Sequence, residues 1–128
     1  MDAKLTNIDA VFLDLDGTIY LGGALIDGAK AFLDRCQEQG VQRFFLSNNS
    51  SKSVEQYLVK LQDLGLPATE DDVLLSTHDL LAWLAKNQIS ETWLVGTEGM
   101  RSMLESAGIS TKSEQPQYVV LGLSLIHI

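Results

Sequence analysis

Two carboxylates one residue apart, Asp14 and Asp16, close an apolar run in Val11-Phe12-Leu13-Asp14-Leu15-Asp16-Gly17-Thr18-Ile19-Tyr20. A short apolar run ended by Gly reads as a buried parallel strand, which puts Asp14 at its carboxyl end. Open α/β sheets bind their ligands there. In an extended backbone residues i and i+2 project to the same side, so both carboxylates can face one spot. Two such oxygen donors make a Mg²⁺ site. The alternative is a solvated turn, since Asp and Gly are common where strands stop. A calcium loop of the EF-hand kind would need an oxygen ligand where Thr18 stands and a bidentate acid where Leu25 stands. That reading fails on its ligands.

The elements that must position these residues alternate along the chain. A strand over 9–14 leads through a hairpin region, Tyr20 to Ala24, into a helix over 28–39, which Asp27 can cap at its start and Gly40 at its end. Ala29, Phe32, Leu33 and Cys36 form one apolar face of that helix. A second strand over 42–47 delivers Ser47, and a helix over 52–64 buries Val54, Tyr57, Leu58 and Leu61 before Gly65 ends it. Val73-Leu74-Leu75 is a third short strand, followed by a helix over 77–87 in which Ser76 and Asp79 have capping-box spacing and His78 is solvated in the first turn. A second α/β unit starts near Glu91, with a strand at Thr92-Trp93-Leu94-Val95, a helix from Glu98 to Ala107 stopped by Gly108, and a strand from Tyr118 to Leu121. Gly96 and Gly99 are too weak a signal for a nucleotide loop. Strands alternating with helices imply parallel pairing and right-handed crossovers. The expected fold class is α/β, a doubly wound parallel sheet with strand one central.

Composition narrows the partners. The 128 residues carry a net charge of −8 and are 45% hydrophobic, enough for a packed core but of the wrong sign for nucleic acid or an anionic membrane surface. The single cysteine, Cys36, excludes an internal disulfide and reads as core. Met1-Asp2-Ala3-Lys4 does not open an export signal, and no apolar run approaches the roughly eighteen residues of a membrane span. A soluble cytoplasmic protein is expected.

The strand ending in Asp14-Leu15-Asp16-Gly17-Thr18 resembles the first motif of the haloacid dehalogenase superfamily of phosphotransferases, Asp-x-Asp-Gly-Thr. Arg43-Phe44-Phe45-Leu46-Ser47-Asn48-Asn49-Ser50-Ser51 resembles its second motif, a strand ending in Ser or Thr, and the Asn-Asn pair is similar to the nitrophenylphosphatase-like and pyridoxal-phosphate-phosphatase-like subclass. Ile26-Asp27-Gly28-Ala29 and Leu64-Gly65 carry the likeness further. The resemblance implies a Rossmann-like core and a Mg²⁺-dependent phosphatase of small phosphorylated metabolites, such as a sugar, glycerol, glycolate or pyridoxal phosphate. It implies that Asp14 is the nucleophile that becomes an aspartyl phosphate and that Asp16 is the general acid and base. Mg²⁺ would be held by Asp14 and by the backbone carbonyl of Asp16. Ser47 would donate its hydroxyl to a phosphoryl oxygen, with N–H groups near Leu15, Asp16 and Asn48 completing the cradle. Ser47 as a strand-end hydroxyl satisfying the backbone is the bland alternative.

By the same resemblance residues 1–87 are the N-terminal part of the catalytic core and 88–122 the beginning of an inserted α/β cap domain, through which the whole protein could pair with itself. Leu123 to Ile128 resembles the in-frame translation of a transposase sequencing adapter, with a natural apolar strand as the alternative. His127 then carries no functional weight. The family's Lys and its later Asp residues are expected beyond Ile128, and Lys52 and Lys60 read as solvated helix residues. A chain ending there is expected to be poorly soluble and inactive by itself. Two other classes remain: a receiver-like phosphoacceptor domain, whose Asp belongs on the third strand rather than the first, and a non-catalytic phosphate-binding module.

Overall fold

A computed structural model describes residues 7–122, so Leu123–Ile128 and His127 lie outside the described residues, as do Met1–Lys4. Strand β1 (Ala10–Asp14) is followed by a hairpin of β2 (Tyr20–Leu21) and β3 (Ala24–Leu25), then α1 (Ala29–Glu38), β4 (Gln42–Ser47), α2 (Val54–Asp63), a 3-10 turn at Glu70–Asp72 and β5 (Val73–Leu75). The chain continues through α3 (Ser76–Lys86), β6 (Thr92–Val95), α4 (Glu98–Ser106) and β7 (Tyr118–Leu121). Two compact units result. The first gathers the described residues up to Ser47 with Leu58–Leu74, the second Asn48–Tyr57 with those from Leu75 on.

In the first unit β1 and β4 pair in parallel, from Ala10↔Gln42 to Asp14↔Leu46. The sheet order is β1-β4-β5. The fold is α/β on a parallel sheet, as the alternation of elements requires. Among the described residues β1 stands at one end of this sheet, with β4 as its neighbour. Pleating separates the two faces. Phe45 and Ser47 of β4 are buried, whereas Phe12 is 59% exposed and stacks on Phe44, its register partner, at 5.1 Å.

Helix α1 buries Ala29, Leu33 and Cys36, the stripe its spacing calls for. Its C-terminus is closed by Gly40 at φ 69°, with Val41 N–H donating to Cys36 O at 2.8 Å. Only a residue free to turn left-handed makes that closure cheaply. The start of α1 corrects an expectation. The N-cap is Gly28, at φ 87° and with no side-chain cap, so Asp27 does not cap the helix. A second correction concerns α3, where the expected Ser76–Asp79 box is replaced by His78, whose Nδ1 accepts the Leu75 N–H at 3.0 Å. His78 is therefore a half-buried capping group rather than a solvated one.

Burial pushes the Cys36 thiol up from its ordinary range, outweighing the Arg43 charge that pulls it down. A fully buried, protonated thiol is a poor nucleophile. Iodoacetamide labelling at neutral pH is expected to leave Cys36 unmodified until the chain is unfolded. Rapid labelling of the folded chain, read by mass spectrometry, would contradict this.

The second unit packs Leu84 of α3 with Ile89, Leu94, Met100, Leu104, Ile109 and Val120, flanked by Leu80 and Leu81. Thus α3 precedes residue 87 in the chain yet contributes its apolar side to the second unit. Strands β6 and β7 pair in parallel from Thr92↔Tyr118 to Val95↔Leu121. Thr97 caps α4, accepting the Met100 N–H at 3.3 Å and donating to Ser51 O at 2.6 Å. A Cβ on Gly99 would stand 2.9 Å from the Ser53 nitrogen, so this glycine serves a close approach of backbones.

Candidate active site

Strand β1 ends on Asp14, and the parallel register carries β4 alongside it to end on Ser47, one residue beyond the level of Asp14. Neighbouring strand ends lie about 4.8 Å apart in such a sheet. Asp14 and Ser47 therefore close neighbouring strands at the same carboxyl edge. Asp14 and Asp16 are both exposed, whereas Leu15 between them is fully buried. The apolar residue anchors the loop while its two neighbours stay in solvent.

The loop after Asp14 is held by backbone. Leu15 O accepts the Thr18 and Ile19 N–H groups at 3.1 and 3.0 Å, and Gly17 N–H donates to Tyr20 O at 2.8 Å. This closure needs Gly17 at φ 84°, which accounts for the glycine after the second carboxylate. Thr18 Oγ1 lies 3.5 Å from Asp14 Oδ2, a long donor contact back to the first carboxylate.

One expected member of the cradle is corrected. Leu15 N–H donates to Leu46 O at 3.2 Å, so it extends the sheet ladder and is committed there rather than turned toward an anion. Ser47 is buried to 7% exposure at the strand end, and Asn48, next in the chain, is exposed and grouped with the second unit. The Asn48 carbonyl accepts from Ser76 Oγ at 3.5 Å. Among the described residues no three His, Cys, Asp or Glu side chains gather into a metal cluster. The donor set is the Asp14–Asp16 pair. It fits Mg²⁺, a hard cation commonly held by one or two carboxylates together with waters and phosphate oxygens.

Residues 11–110 match the sequence model of a haloacid dehalogenase-like hydrolase. The chain belongs to the haloacid dehalogenase-like hydrolases. The match runs from β1 through α4, and so takes in both carboxylates and Ser47. Over 116 residues this hydrolase chain is 34% identical to an acid sugar phosphatase of Staphylococcus aureus, covering 89% of itself and 45% of that protein. It superposes on a 4-nitrophenylphosphatase from Thermotoga maritima with a TM-score of 0.86 at 30% identity, over 95% of this chain and 49% of the other. A glycerol phosphate phosphatase from Mycobacterium tuberculosis, solved in complex with magnesium, gives a TM-score of 0.75 at 29% identity, over 92% and 37% of the two chains. This hydrolase chain thus spans about half the length of the curated relatives it matches.

Three side-chain contacts do not follow from the sequence pattern. Thr18 was part of the motif without a role, and here its hydroxyl faces Asp14. Helix spacing makes Lys60 a solvated residue. Its ammonium instead donates to Gly22 O at 2.8 Å and lies 4.6 Å from the centre of the Tyr20 ring. Lys52 likewise sits 5.5 Å from the centre of the Tyr57 ring. No local pattern signals contacts across 38 residues.

Proposed function

We propose that the whole protein carrying this chain is a Mg²⁺-dependent phosphatase of small phosphorylated metabolites that works through an aspartyl phosphate on Asp14. The observation that carries this reading is the pair of exposed carboxylates, Asp14 and Asp16, at the carboxyl edge of a parallel sheet, with Leu15 alone between them on a hydrogen-bonded turn. The phosphatase names of the relatives support it. The residues from 88 to 122 would begin a cap domain, and a cytoplasmic location suits an enzyme whose charged substrates do not cross membranes.

An Asp14 oxygen attacks phosphorus, the bond from phosphorus to the alcohol oxygen breaks, and the Asp16 carboxyl gives its proton to the departing alkoxide. Asp16, now a carboxylate, takes a proton from water. The water oxygen bonds to phosphorus as the bond to Asp14 breaks, which returns both side chains to their starting states. Mg²⁺, held by Asp14 and Asp16, would supply the positive charge that lets a carboxylate approach an anionic ester. Ser47 donates to a phosphoryl oxygen, and the N–H groups of Asp16 and Asn48 complete a cradle built without Leu15.

The experiment is release of nitrophenol from 4-nitrophenyl phosphate by the whole protein with and without Mg²⁺. Mg²⁺-dependent turnover is expected. Turnover that a chelator leaves unchanged, or none at all, contradicts the reading. Ser47→Ala removes one donor to a charged group, and the expected loss in kcat/KM corresponds to about 1–3 kcal/mol. A loss as large as that of the nucleophile would show that Ser47 does more than donate.

A further inference from the structure

The hairpin that follows Asp16 is short and held mostly from outside. It consists of two residue pairs, Tyr20↔Leu25 and Leu21↔Ala24, and a two-stranded hairpin is marginal in water by itself. Its anchor is Tyr20, a residue only 1% exposed. One cation from α2 grips it. Lys60 Nζ donates to Gly22 O at the tip, 2.8 Å away, and lies 4.6 Å from the centre of the Tyr20 ring at the base. A charged donor to a carbonyl is stronger than a neutral one, and the ring face adds attraction for the same ammonium.

What Lys60 holds is tied to Asp16. Gly17 N–H donates to Tyr20 O at 2.8 Å, and Asp16 forms an isolated β-bridge with Tyr20. The backbone between the second carboxylate and the buried ring is therefore closed on itself. A shift of Tyr20 moves the Gly17 amide, and Asp16 is the residue before it.

We propose that Lys60 is a positioning residue for Asp16, fixing the acid/base carboxylate by clamping the β2–β3 hairpin through the Gly22 carbonyl and the Tyr20 ring. The proposal rests on the reading of Asp16 as acid and base. Lys60 touches neither substrate nor metal in it. Its effect falls on the chemical step, where geometry matters most, rather than on binding.

The test is steady-state kinetics of the whole protein on 4-nitrophenyl phosphate with Lys60→Met, Lys60→Gln and Lys60→Arg, together with amide hydrogen exchange at Gly17. Met keeps the aliphatic stem and loses the cation, and Gln is the second neutral variant should Met fail to fold. Arg keeps charge and donors and can stack on the ring. The expected result is a fall in kcat of about tenfold for the neutral variants with KM changed less than about threefold, because misplacement of about an ångström can cost up to about 100-fold. Gly17 exchange should quicken in those variants, since the turn opens locally more often. Lys60→Arg should restore both. Unchanged kcat in an active protein overturns the clamp, and so does a raised KM with kcat kept, which would make Lys60 a binding residue. Equal losses in Lys60→Arg and Lys60→Met also count against it. A wild-type protein that hydrolyses no phosphate monoester removes the phosphatase reading itself, and the role of Asp16 with it.

Discussion

Asp14→Asn is expected to lower turnover of 4-nitrophenyl phosphate by more than about a thousandfold, the scale on which loss of a nucleophile acts. The amide has nearly the shape of the carboxylate and none of its nucleophilicity. Asp14 is exposed at the end of β1 and accepts a long contact from Thr18, so the substitution has little fold to disturb. The melting temperature should stay within a few degrees of wild type. Phosphate binding in the presence of Mg²⁺ should be partly retained, because Asp16 and Ser47 remain. Residual activity within tenfold of wild type would rule Asp14 out as the attacking group.

Asp16→Asn is expected to separate the two halves of the reaction. General acid–base catalysis contributes about 10²–10⁴ in rate, and Asp16 is used twice, once on the leaving alkoxide and once on water. With a good leaving group such as nitrophenolate the first use matters little. The second remains essential. Phosphoenzyme should then accumulate as acid-stable, base-labile label when the variant is mixed with labelled substrate, with a burst followed by slow hydrolysis. A variant that loses turnover in steady state without accumulating label would place the defect before attack, and Asp16 would not be the base of the second step.

The course of β1 and β4 was legible because burial of a parallel strand demands an apolar run, and Val11–Leu13 and Phe44–Leu46 supply one each. The carboxylates were legible for a related reason. Charged residues that close such a run have no place in the core, so they must turn to solvent at the strand end. The apolar signal of Phe12 is the same in an edge strand as in a central one, so the run alone marks a strand and not its place in the sheet. Helix starts failed where backbone conformation outweighed side-chain preference. Gly28 at φ 87° takes the cap that Asp27 could have made, and His78 reaches back to Leu75 where Ser76 and Asp79 had the expected spacing. Among the cradle groups, Leu15 was misassigned because an amide's partner depends on register, here Leu46 O, and register is a property of two strands. Lys60 shows the same limit, a surface lysine by pattern that meets a hairpin 38 residues away.

The covalent step on Asp14 is tested most directly by locating the phosphoryl group. Asp16→Asn phosphoenzyme, quenched in acid and reduced with borohydride, should yield homoserine at position 14 in the peptide spanning β1 and the following turn, as read by tandem mass spectrometry. Homoserine at Asp14 in a substrate- and Mg²⁺-dependent amount is the expected result. Reduction at any other carboxylate, or none in an enzyme that still turns over, would contradict the account.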